Sequence, residues 1–408
     1  PVFFFFSYGG LINTAAMEIS GINEETNHRG VLKDKETGKC TGFIRASAFD
    51  LLKLPSRQPL STDKKVQLIR DMFDRYHQYG ITSVCSGAGD LEDYQLYREM
   101  HDNGELTMRI FQNILFPLPD EIKLDKLNEQ LDSLDCVTGD GDHWVRIGAL
   151  KIILDGGILT GTAYLREPWG EKACNFFRIS DNDTDYRGVI NFTREELLPI
   201  VQAANEHNWK FTAHCTGGGG IDLLLDVYEE VHEMKSIRER RFSIIHANFF
   251  TNRAIQKMDE LNVYADMQPA WFFKDADAMR YFLGRERIKT FHPYHSLLEA
   301  GVMVNGGSDH MVGWDPNASI NPYHPFLAIW SIVSRTTERD NTIVPSEAIT
   351  RKQALKMYTI NNAYASFEES LKGSLEPGKL ADLAVLSADI LSCPVDQIRQ
   401  IESELTIV

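Results

Sequence analysis

Along the middle of the chain, short apolar runs alternate with stretches whose apolar residues recur every three or four positions. The runs predict strands at residues 80–85, 106–111, 146–154, 210–213, 242–245, 262–267 and 301–305. The periodic stretches predict helices at 64–79, 91–103, 194–206 and 220–233, the second stopped by Gly104. Alternating β and α units predict a parallel sheet with helices outside it. Seven strands are counted, where a closed (β/α)8 barrel needs eight, and the absent one would precede Ile81. The expected fold class is therefore α/β, a (β/α)8 TIM-like barrel missing its first strand. Residues 1–60 read as an insertion preceding the second barrel strand, 61–365 as the barrel, and 366–408 as the remnant of a small β domain. In that last part, 346–365 is helical, 373–382 has turn chemistry and 383–386 is a short strand.

The run Val2 to Phe6 is β-branched and aromatic and predicts a buried strand. It has no preceding Met, no basic leader and no small-residue cleavage site, so it is not read as a signal peptide. The other end stops inside the apolar run Leu405 to Val408. Both ends are expected to be cut, the protein continuing beyond them.

Composition narrows the function classes. With 43% apolar and 25% charged residues the chain has globular composition. A net charge of −16 makes a nucleic-acid partner unexpected, because such a surface repels phosphate. No run of about 18 apolar residues exists to span a membrane. The six cysteines form no C-x-x-C pair, so free thiols are expected rather than disulfides or a thiolate metal site. That favours the cytoplasm, with an export signal upstream as the open alternative.

Chemistry collects where the strands end. One strand ends at His214, another at His246, and a third runs through Gly306-Gly307-Ser308 into Asp309. A fourth holds Lys151 among apolar residues and ends at Asp155-Gly156-Gly157. In a barrel these positions face one mouth. Neutral imidazole and carboxylate suit zinc or a similar divalent ion, which lowers the pKa of bound water from about 15.7 to about 7. A carboxylate beside it can take the proton as water attacks a carbonyl. A lysine buried among apolar neighbours is costly as an ammonium, and a neutral one can add CO₂ to become a bridging carbamate. His292, His295 and His324 lie in loops and read first as solvated, and His28, His77, His101, His207 and His232 as surface residues. Trp169, Trp271, Phe272, Phe273, Trp314 and Tyr323 read equally as an aromatic pocket wall or as packing.

The segments resemble the amidohydrolase superfamily, specifically the YtcJ-like branch of amidohydrolase family 3. The resemblance rests on residues 150–163 around Lys151, on Ala213-His214-Cys215-Thr216-Gly217, on Ile245-His246-Ala247-Asn248, on Gly306-Gly307-Ser308-Asp309, and on 351–362 and 373–386. Each motif is short, but the ordered set is specific and covers nearly the whole chain. It implies a metal-dependent hydrolase with a barrel and a small composite β domain. By analogy Lys151 is the carboxylated bridging ligand, His214 and His246 are metal ligands, and Asp309 is both ligand and general acid/base. Gln268, Trp271, Arg335 and His310 are the substrate-side candidates. The cofactor implied is one or two divalent ions, zinc first, with the Lys151 carbamate. A small-molecule substrate and a homodimer follow from the same analogy.

One departure is serious. The superfamily's first strand carries an H-x-H pair, and no H-x-H occurs in this sequence, since His292-Pro293-Tyr294-His295 has the wrong spacing. The chain thus resembles the family without its first hundred or so residues, the same strand that the unit count lacks. The expected function is hydrolysis of an amide or other non-peptide C–N bond by metal-activated water. The alternative is a truncated or catalytically inactive relative that binds a small molecule. A third possibility keeps the metal site and changes the reaction, to isomerisation, decarboxylation or ester hydrolysis.

Overall fold

The structure, a computed structural model, describes residues 1–6, 9–28, 30–34, 37–53, 59–119, 121–177, 179, 185–311 and 313–408. The chain begins with an antiparallel sheet of β1 (Phe3–Phe6), β2 (Gly9–Ile12), β3 (Val31–Lys33) and β4 (Cys40–Arg45), ordered β1-β2-β4-β3. Ile12, Ala16, Ile22, Val31, Ile44 and Ala48 form a small core beneath it. The phenylalanine run is an edge strand, with Phe4 65% exposed, rather than the buried strand its composition predicts. An edge strand is hydrogen-bonded on one side only, and apolar residues alone do not place it inside.

The main body is a curled sheet of seven parallel strands in chain order. They are β5 (Ser83–Gly89), β6 (Arg109–Leu115), β7 (Val145–Ile153), β8 (Phe211–Cys215), β9 (Ser243–His246), β10 (Tyr264–Met267) and β11 (Val304–Gly306). Each predicted strand is present. Several begin later than predicted because a positive-φ residue closes the preceding turn: Gly80 at 76°, Asn262 at 56° and Gly301 at 89°. The helices Arg194–Glu206, Gly218–Met234 and Asn252–Leu261 cover the outer face. Leu150, Ile152, Phe211, Ala213, Ile244 and Ala265 pack with Leu197, Leu224 and Met258 in one large core. Among the described residues the sheet does not close into a ring, and β5 and β11 are each paired on one side. The elements flanking that gap meet through side chains instead. Tyr76 on the helix Thr62–His77 hydrogen-bonds His310 after β11, with 2.8 Å between the hydroxyl oxygen and Nδ1. Tyr79 packs on His324, and Arg75 lies over Trp314.

The predicted 346–365 helix is shorter and broken. It starts at Thr350, whose hydroxyl accepts from Gln353 in a capping box, and Thr359 interrupts it with φ −129° and ψ −98°. The chain ends in the antiparallel pair β12 (Leu383–Leu386) and β13 (Ser403–Ile407). This tail grips the start of the barrel. Arg109, at the start of β6, makes two hydrogen bonds to the Asp382 carboxylate, 2.7 and 2.8 Å long. All six cysteines are free thiols, and no described helix is long and apolar enough to cross a membrane.

Candidate active site

The C-terminal parts of strands in this one sheet place the polar set. β7 carries Lys151, β8 carries His214, β9 ends on His246, and Asp309 follows β11. The two imidazoles stand edge to face with ring centroids 4.4 Å apart. His246 and Asp309 sit at φ 76° and 52°, conformations that cost energy in L residues and persist where surrounding structure enforces them. Lys151 and both histidines are buried.

Burial decides the charge states. It pushes His214 down to about 3 and His246 well below the usual imidazole range, with Lys151 adding repulsion in both cases. Both rings are therefore neutral at neutral pH, the form that offers a lone pair to a cation. Burial also lowers Lys151, against the pull of Asp309 and Asp266, and raises the Asp309 carboxyl to about 6, against the pull of Lys151.

The two imidazoles are held as opposite tautomers. His214 Nε2 lies 3.2 Å from the Gly156 carbonyl oxygen, which can only accept, so Nε2 carries the proton and Nδ1 is the unprotonated nitrogen. Asp155 stands behind the same nitrogen at 3.6 Å. That carboxylate is fully buried and accepts from the backbone N–H groups of Thr216, Gly217 and Tyr164 at 2.8, 2.7 and 3.0 Å, so it ties the loops after β7 and β8 together. Burial holds its carboxyl up to about 7. On His246, Nδ1 faces the Gln268 amide oxygen at 2.7 Å. Asp309 is held by Asn321, whose amide donates to its backbone oxygen at 2.5 Å and to Oδ2 at 3.2 Å.

The four substrate-side candidates each have partners within the protein. Gln268 is buried and engaged by His246, and Trp271 stacks on the His246 ring at 4.7 Å and 9°. Both therefore support an imidazole rather than line an open mouth. His310 uses Nδ1 on Tyr76 and Nε2 on the Gly313 carbonyl at 2.9 Å. Arg335 is fully buried, donates to the carbonyls of Ile343 and His292, and lies 3.7 Å over the Phe272 ring, which makes it a brace between loops. His292 and His324 are buried rather than solvated, while His295 is exposed as expected. Trp169 is core, its indole N–H donating to Ala163.

Asp266, Asn321 and Tyr76 escaped the sequence reading. Asp266 had a signal, since it lies in an apolar strand as Lys151 does. It feels both Lys151 and Lys210, a second buried lysine that burial lowers to about 8. The partner of Tyr76 lies 234 positions away and that of Asn321 twelve positions back across a loop, and neither pairing leaves a local mark. Among the described residues, no three His, Cys, Asp or Glu side chains stand close enough to hold a metal together. Two neutral imidazoles and one carboxylate are present, and Lys151 is the side chain whose field reaches all three.

The chain is similar to known proteins. The chain is 27% identical to an N-substituted formamide deformylase of Arthrobacter pascens, across 98% of this chain and 70% of that one. It is 26% identical to the putative amidohydrolase YtcJ of Bacillus subtilis, across 97% of this chain and 70% of that one. An uncharacterized metal-dependent hydrolase of Pyrococcus horikoshii superposes with a TM-score of 0.68 at 20% identity, covering 95% of this chain and 71% of the other, and shares the fold. The model of the amidohydrolase family matches residues 8–408, and the chain belongs to that family.

Proposed function

We propose that the protein hydrolyses an amide or other non-peptide C–N bond of a small molecule, using water activated at a divalent metal. The carrying observation is the pair of neutral, oppositely tautomeric imidazoles of His214 and His246, 4.4 Å apart, beside Lys151 and Asp309. In donor type the set fits a divalent ion such as zinc. His214, His246, Lys151 and Asp309 would hold it, Lys151 as its CO₂-derived carbamate. That carbamate would supply the anionic arm which the His and Asp side chains alone do not complete. When bound, such an ion makes water a nucleophile near neutral pH.

The chain's own groups do the rest. Asp309, its carboxyl raised to about 6, takes a proton from the attacking water and delivers it to the leaving nitrogen. Asn321 holds that carboxylate in place. The relative named as an N-substituted formamide deformylase makes N-formyl amides the first substrates to try. The test is a panel of N-formyl, N-acyl, cyclic-amide and ester substrates, with zinc added or chelated. Metal-dependent release of an amine supports the reading. Turnover of esters alone would overturn its C–N part.

A second reading, binding of a small molecule without turnover, is favoured by the lack, among the described residues, of three converging His, Cys, Asp or Glu side chains. Saturable binding with no product from any member of the panel would select it. A homodimer and a cytoplasmic location are further proposals, open to light scattering and to cell fractionation.

A further inference from the structure

We propose that Gln268 is a positioning residue that locks His246 in one tautomer and one rotation, with Trp271 fixing the ring's face. The inference rests on the metal reading above, because the lock matters only if the opposite nitrogen has a ligand to meet.

The Gln268 amide is itself oriented. Its Nε2 donates to the Asp266 carbonyl at 3.2 Å, so Oε1 is the atom that faces His246 Nδ1 at 2.7 Å. A carbonyl oxygen accepts, so Nδ1 must carry the proton, and Nε2 keeps the lone pair. Gln268 caps the helix Pro269–Arg287, and Trp271 lies in the first turn, its backbone N–H donating to the Gln268 carbonyl at 2.9 Å. One rigid helix start thus supplies both the acceptor and the stacking plane. An amide suits this place better than a carboxylate, because a neutral acceptor does not draw the imidazole toward its charged form.

His292 is the contrast that separates this arrangement from ordinary packing. It is also fully buried, but Nε2 is engaged by Asn248 at 2.6 Å and Nδ1 by Tyr294 at 3.0 Å. Both nitrogens are used, as in a purely structural histidine. His246 has one nitrogen and one face held, and its Nε2 makes no hydrogen bond among the described residues. Supporting partners of this kind orient metal-binding imidazoles, and their loss costs about 10- to 100-fold in metal affinity.

The test has a metal-free and a metal-bound arm. In metal-free protein labelled with ¹⁵N-histidine, His246 is expected as a single Nδ1-protonated tautomer, its signals assigned by their loss in His246→Asn. Gln268→Leu is expected to mix the tautomers and to weaken binding of zinc alone by about 10- to 100-fold. Gln268→Glu keeps an acceptor and should hold the parent tautomer, and Trp271→Phe keeps a stacking ring and should stay within a few-fold of parent affinity. Should Gln268→Leu fail to fold, Gln268→Asn withdraws the acceptor and carries the same expectation. A Gln268→Leu protein that keeps one tautomer, or binds zinc as tightly as the parent, overturns the proposal. A parent that binds no zinc sinks the metal reading instead, and the tautomer spectrum still decides the role of Gln268.

Discussion

β8 and β5 belong to the same sheet, three strands apart, and their surroundings could hardly differ more. All five residues of β8 are buried, and none of the seven residues of β5 is. β8 has a parallel neighbour on each side and helices over its back, whereas β5 is an edge. The site inherits this difference. His214 and His246 are aimed by the packed middle of the sheet. Asp309 follows the opposite edge strand, and it is aimed by a side-chain hydrogen bond from Asn321 and, next door, by one from Tyr76 to His310. The middle of the sheet holds its imidazoles by packing together with hydrogen bonds to Gly156 and Gln268, and the open side holds Asp309 by a few polar contacts alone.

The largest expected effect comes from removing Asp309, the proposed base. Asp309→Asn should lower turnover by about 10²- to 10⁴-fold with the fold intact, since a positioned proton acceptor contributes on that scale. Steady-state kinetics on the best substrate of the panel check this, and full turnover in the variant would remove Asp309 from its role. The next effect is on stability. The Arg109–Asp382 pair is buried on both sides, 5% and 4% exposed, and joins the open side of the sheet to the tail. Arg109→Ala leaves Asp382 buried without its partner, and should cost about 3–5 kcal/mol in urea unfolding. A loss below about 1 kcal/mol, the range of exposed pairs, would mean that the tail does not brace this side.

These two predictions draw on different kinds of legibility. Lys151, His214, His246 and Asp309 stand out in the sequence because each is a polar residue within or just after an apolar run, and the structure places each within or just after a strand of the parallel sheet. The order of the strands was readable for the same reason. His292 and His324 were misread as solvated because their burial comes from loops that close over them, which no local pattern records. Gln268 and Trp271 were found, but as substrate contacts. The structure gives both of them the His246 imidazole as a partner, 22 positions from Gln268 in the chain and brought there by the sheet. The edge character of β1 was missed because composition reports apolarity and not position in a sheet.

Acid should act on the open side through His324. Its Nδ1 accepts from the Leu327 N–H at the start of the helix Pro325–Ser334, and burial lowers its pKa from 6.5 to about 4. Between those values the unfolded chain binds a proton that the folded one refuses. The contribution is therefore complete above pH 6.5 and lost as pH falls through about 4, up to about 3 kcal/mol. His214, lowered to about 3 by burial, gives the same sign from the packed side. Urea midpoints from pH 7 to 4.5 should fall in the parent and fall less in His324→Asn, which keeps a capping acceptor but does not titrate. Equal slopes would assign the acid sensitivity to the packed middle alone.

The smallest effect is the most discriminating for the comparison. Tyr76→Phe removes one hydroxyl, the one bonded to His310 Nδ1 at 2.8 Å, and keeps the edge contact of its ring with Tyr323. A single hydrogen bond of this kind contributes about 1 kcal/mol, so global stability should change little. If the open side positions Asp309 through such contacts, the loss should appear in kcat, by several-fold, with KM nearly unchanged. The same change on the packed side, Tyr228→Phe, removes a hydroxyl bonded to the Ser243 carbonyl at 3.0 Å, and should cost comparable stability without touching kcat. If both variants lowered kcat alike, Asp309 would owe its place to the sheet as the imidazoles do. A drop confined to Tyr76→Phe would locate the adjustable part of the site at the edge.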